Sequence, residues 1–128
     1  MLKPRLFLLL SALGLPACVV HSDHDDDYGT FVLQWTINGV DDPDECRGVD
    51  AISVHIETAD GIIVDDFEED CERFETLIDL PEDDYHADVV LIDSRGRDAT
   101  TAVPTADFAI YPNEDTPIHI DFPEDSFL

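Results

Sequence analysis

The side chains of this 128-residue chain that could do chemistry are 31 carboxylates, five histidines and three cysteines. Asp23, Asp25 and Asp27 stand at the Asp-x-Asp-x-Asp spacing of a calcium loop, where alternate residues turn oxygens toward one cation. Such a loop also needs glycine at its sixth position and glutamate at its twelfth; Tyr28 and Gln34 stand there. Weak condensation of divalent cations is therefore expected, not a defined metal site. Three more acidic runs read as solvated turns: Asp41, Asp42, Asp44 and Glu45; Asp65, Asp66, Glu68, Glu69 and Asp70; and Glu82, Asp83 and Asp84. The alternative is that two of them meet at one end of the fold and bind Ca²⁺. Acid–base work by a carboxylate pair needs one pKa raised in an apolar cleft, and carboxylates this abundant single out no pair. His21 and His24 lie in a polar stretch, His55 and His119 at outward strand positions, at no spacing that gathers ligands. The chain contains no Gly-x-Ser-x-Gly, His-Glu-x-x-His or P-loop pattern, so no catalytic residue and no cofactor is implied.

The N-terminus carries an address. Lys3 and Arg5 form a basic start, and Leu6–Leu15 an apolar run broken by Ser11 and Gly14. That order reads as a secretory signal peptide over residues 1–17. A bilayer-spanning helix takes roughly 20 apolar residues, so the run is too short for a permanent anchor. Leu15-Pro16-Ala17-Cys18 resembles the lipobox of bacterial lipoproteins in its Leu, its small residue and its Cys; Pro16 departs from the usual pattern. The resemblance implies cleavage before Cys18, a diacylglycerol on its thiol, and acylation of the new amine. A single acyl chain binds membranes marginally, and two or more hold firmly, at about 0.8 kcal/mol per buried CH₂. Val19, where inner-membrane lipoproteins often carry Asp, implies the outer membrane.

Removing residues 1–17 leaves 111, enough for one domain with a modest core. Four arginines then face all 31 acidic residues, a formal charge of −27. Such a chain repels nucleic-acid phosphates and anionic headgroups. A lipid on Cys18 would supply the membrane contact, and the protein partner stays open. With Cys18 acylated, Cys46 and Cys71 form an even count in a disulfide-permissive compartment and are expected to pair. Two free thiols or a metal pair are the alternatives, although neither cysteine has a Cys-x-x-Cys partner or a nearby histidine.

Residues 18–29 are expected to form an acidic tether, extended by self-repulsion. From Thr30 the pattern has period two. Phe31, Leu33, Trp35 and Ile37 share one face, which makes Trp35 a core residue rather than a ligand platform. Ile52, Val54 and Ile56 repeat the pattern, and Asp60-Gly61 predicts a hairpin over 51–67. Residues 74–80, then Tyr85, Ala87, Val89 and Leu91, a Thr-rich 98–103, 106–111 and 117–122 complete about seven short strands. The expected fold is an all-β antiparallel sandwich over residues 30–128. The strands are too short, and their outward faces too polar, for a transmembrane barrel.

The stretch LPEDDYHADVVLIDSRGR, residues 80–97, resembles an element of transthyretin-like and carboxypeptidase-regulatory-like sandwich domains. Leu80, Pro81, Tyr85, Val89, Leu91, Asp93 and Gly96 match it; the turn glycine of that element is Asp83 or Asp84 here. The resemblance implies an immunoglobulin- or transthyretin-like sandwich and no particular activity. The chain beyond Cys18, with WTING, a cysteine pair and IDFPEDSFL, also resembles small lipoproteins of myxobacteria and related deltaproteobacteria. A non-enzymatic, lipid-anchored interaction or structural module is the resulting expectation, with a Ca²⁺- or polycation-binding surface protein as the alternative.

Overall fold

The computed structural model describes residues 27–128. The described residues form eight strands: β1 Tyr28–Ile37, β2 Val49–Thr58, β3 Ile63–Asp70, β4 Glu75–Pro81, β5 Asp83–Asp93, β6 Val103–Pro104, β7 Phe108–Ile110 and β8 Asp115–Phe122. They build two sheets, ordered β4-β1-β8 and β3-β2-β5, with β6 and β7 both on the far side of β5. Among the described residues, no helix is long and apolar enough to cross a membrane.

The all-β sandwich follows from the alternation. Phe31, Leu33, Trp35 and Ile37 bury one face of β1; Ile52, Val54 and Ile56 bury that of β2; Tyr85, Ala87, Val89 and Leu91 bury that of β5. Each strand turns polar side chains outward because successive residues point to opposite faces. Phe31 stacks on Phe108 with ring centroids 4.4 Å apart, and Phe108 stacks in turn on Tyr85 at 5.8 Å. One aromatic column thus joins the two sheets.

Three features differ from the expected pattern. First, β8 runs parallel to β1, pairing Thr30 with Asp115 through Ile37 with Phe122. The cause is where the chain crosses between sheets. β7 ends beside Asp83, at the end of the sandwich where β1 begins, and Asn113 (φ 60°) turns the chain there. The Asn113 N–H donates to the Tyr28 carbonyl and the Thr30 N–H to that of Glu114. From that end β8 has only the direction of β1 open to it.

Second, the Thr-rich segment 98–103 is not a continuous strand. It makes single bridges at Asp98 and Thr100, and only Val103–Pro104 pairs with β5. Hydroxyls take over the ladder's work: Thr100 Oγ1 accepts from the Leu91 N–H and Thr105 Oγ1 from the Ala87 N–H, each at 3.1 Å. Thr side chains readily offer the backbone such an alternative. Strand β1 also starts at Tyr28, inside the stretch expected as tether, with Tyr28 paired to Pro81 and Gly29 to Leu80.

Candidate functional site

Cys46 and Cys71 form a disulfide with Cα atoms 6.1 Å apart. Each sits in a short 3-10 helix, Pro43–Cys46 after β1 and Cys71–Arg73 after β3. Asp42 and Asp70 cap these helices through carboxylates that accept from the Asp44 and Glu72 N–H groups. Beneath the bridge, the buried Trp35 indole N–H donates to the Cys71 carbonyl at 3.1 Å. The pair is a buried staple between two loops at one end of the sandwich. Cys18, Asp23 and Asp25 lie outside the described residues. Asp27 is exposed, and its carbonyl accepts from the Glu82 N–H.

The element at residues 80–97 does structural work at each position. The Tyr85 hydroxyl donates to the Pro81 carbonyl at 2.5 Å, tying the β4–β5 corner. Burial, then the nearby Asp83 charge, push this phenol up to about 12. Between Pro81 and Asp83 the chain passes from one sheet to the other with no positive φ, so the turn works without glycine. At the far end of β5 the Asp93 carboxylate accepts from the Arg97 and Arg95 N–H groups, which hold it below the ordinary aspartate range. Gly96, at φ 78°, closes that turn.

The outer face of the five-stranded sheet holds the densest arrangement of titratable groups. In the β2–β5 register His55 stands opposite Asp88 and Glu57 opposite His86, a checkerboard of two imidazoles and two carboxylates. Asp66 on β3 stands opposite His55 from the other side. His55 Nε2 lies 2.8 Å from Glu57 and its Nδ1 3.5 Å from Asp66; His86 lies 3.3 Å from Asp88 and 3.4 Å from Asp107. The bond to Glu57 is the main cause that raises the His55 pKa above its ordinary value; Asp66 adds to it and desolvation partly opposes it. The other sheet carries a smaller version, with the Thr36 hydroxyl between Asp121 (2.7 Å) and His119 (3.3 Å).

Reading histidines one at a time misses this face, yet its signal is in the sequence. All five histidines are followed two residues later by an acid: His21-Asp23, His24-Asp26, His55-Glu57, His86-Asp88 and His119-Asp121. On a strand, i and i+2 share a face, so each such pair on β2, β5 or β8 is placed to interact.

The disulfide brings the ends of two acidic runs, 41–45 and 65–70, to one end of the sandwich, while 82–84 lie at the other end of β1. Among the described residues, no group of three or more His, Cys, Asp or Glu is gathered so as to hold a metal ion. An open groove of about 560 Å³ lies at the start of β1, lined by Tyr28, Gly29, Thr30, Asp79, Asn113 and Asp115. Its walls are polar and apolar in about equal measure. No family model matches the chain, and no curated protein matches it.

Proposed function

We propose that this protein is a non-enzymatic, lipid-anchored β-sandwich of a bacterial cell envelope that works as an interaction module for a cationic partner. In this reading residues 1–17 are a cleaved signal, Cys18 carries the lipid at the outer membrane, and the stretch to about Asp27 is a tether. The observation that carries the interaction role is the distribution of charge. The inward faces are largely spent on the core, and the outer face of the five-stranded sheet presents Glu57, Asp66, Glu68, Asp70 and Asp88. An anionic sheet surface speeds and selects encounters with positively charged partners. Support for the anchor is that Cys46 and Cys71 bond to each other, which leaves Cys18 out of intrachain pairing.

The anchor is tested by membrane fractionation of the wild-type and Cys18→Ala proteins, with and without a lipoprotein signal-peptidase inhibitor. The wild type is expected in the membrane fraction and Cys18→Ala in the soluble one. Equal partitioning of the two would overturn the anchor. Crosslinking on intact cells tests the interaction role, with recovery of a basic envelope component as the expected result.

A further inference from the structure

Among the described residues, strand β3 is one edge of the five-stranded sheet, bonded to β2 on one side only, and the short β6 and β7 form the other edge. It is eight residues long and contains no proline; its register shifts once near Ile63–Asp65, and the Asp66 N–H donates to the Asp65 carboxylate at 2.8 Å. The edges of the other sheet are less suited: β8 carries Pro117 in mid-strand and β4 ends in Pro81. An uncovered edge is a template for another strand.

Side chains decide which strand it accepts. Asp66, Glu68 and Asp70 are exposed and share the outward face, while Asp65 and Glu69 flank Phe67 on the inward one. Five carboxylates in a six-residue run repel the same run on a second copy, so self-pairing is disfavoured by like charge. The same run favours a strand carrying Lys or Arg at alternate positions, on the face shared with Asp66 and Glu68. At the hairpin end Ile62 and Ile63 are each 62 % exposed, beside a half-exposed Val64, and give an arriving segment an apolar foothold.

We infer that β3 is a docking edge for a cationic extended polypeptide segment, which adds to the sheet as a further strand. Backbone bonds to β3 supply the pairing, and Lys or Arg opposite Asp66 and Glu68 supply the selection. This inference rests on the interaction-module reading and gives it a place on the molecule.

The test uses the full chain in detergent micelles and a ten-residue peptide of alternating Lys and Thr. A control peptide has the same sequence but N-methylated alternate amides, so it keeps the charge and cannot pair as a strand. Amide hydrogen exchange is followed residue by residue. The expected result is slowing confined to β3, about tenfold or more, with the pairing peptide only. Asp66→Lys/Glu68→Lys alters exposed positions, and is expected to fold normally and to weaken peptide binding about tenfold or more. Equal protection by the N-methylated peptide, or equal slowing along β4 and β8, would reduce the effect to charge attraction and overturn strand addition. Protection of β3 that rises with protein concentration in the absence of peptide would assign the edge to a second copy and likewise overturn it. If the peptide fails while crosslinking on cells still recovers a basic component, the docking edge falls and the interaction module stands.

Discussion

Tyr85 is held at both ends: its ring is buried against Phe108, and its hydroxyl closes the corner on the Pro81 carbonyl. Tyr85→Phe keeps the ring and orphans that carbonyl, so it is expected to cost about 1–2 kcal/mol, read as a lower urea midpoint at unchanged slope. Because burial raises the phenol to about 12, the folded chain holds this proton more tightly than the unfolded one does. Stability from this group is therefore present below its ordinary pKa and is lost as pH climbs toward 12. His55 gives the corresponding case near neutrality. Its raised pKa means that the protonated form is favoured in the fold by Glu57 on its own strand and Asp66 on β3. That stability is full below the ordinary histidine pKa and is lost as pH rises through the folded value. His55→Gln should therefore shrink the gain in Tm on going from about pH 8 to about pH 6. Identical pH dependence in the two proteins would show that the pair contributes nothing measurable.

At the scale of elements, the disulfide joins the loops that follow β1 and β3, across a sequence separation of 25. Cys46→Ala/Cys71→Ala is expected to cost about 3–4 kcal/mol, chiefly through a less constrained unfolded chain. Chemical denaturation of both proteins, with and without reductant, checks this: reductant should lower the wild type only. At the opposite end, a Cβ on Gly29 would strike the Tyr111 carbonyl oxygen where β1 passes under the β7–β8 turn. Gly29→Ala should displace that turn and cost about 1–3 kcal/mol, with the disturbance in Asn113 and Glu114 amides. What the sequence revealed at this scale follows from the same physics. β1, β2 and β5 were legible because a sheet with one buried face must place apolar residues at every second position. The cysteine pair was legible by elimination, once Cys18 was assigned to the lipid. The direction of β8 was not legible, since it depends on which end of the sandwich β7 reaches. Nor was the loss of the 98–103 strand, because threonine serves equally as a strand former and as a hydroxyl that replaces the ladder. The histidine face lay between these cases. Its pairs were written as His-x-acid, but the checkerboard required the β2–β5 register.

For the molecule as a whole, charge sets the balance. The chain beyond residue 17 opposes 31 carboxylates with four arginines. Among the described residues, one Arg–carboxylate contact is formed, Arg73 to Glu69 at 3.5 Å, on a largely exposed guanidinium. Such a surface pair contributes little. Repulsion therefore outweighs attraction, and its reach is set by salt. The Debye length is about 30 Å at 0.01 M and about 8 Å at 0.15 M. A domain of about 100 residues has a radius of gyration near 13 Å, so at low salt every carboxylate feels the others, and at 0.15 M only its neighbours. Unfolding spreads the charges and relieves the repulsion, so screening helps the folded state more than the unfolded one. Tm should rise from 10 mM to 150 mM NaCl by several degrees, since about 1 kcal/mol moves the Tm of a domain this size by roughly 4–8 °C. It should then level off as the screening length falls below the spacing of the carboxylates. Scanning calorimetry in NaCl and in CaCl₂ at matched ionic strength separates screening from ion binding. Coincident curves mean screening alone, and a higher Tm in CaCl₂ means carboxylates gathered on the cation. A Tm that falls with added NaCl would show that the exposed His–carboxylate and Arg–carboxylate contacts hold the fold more strongly than the net charge opposes it.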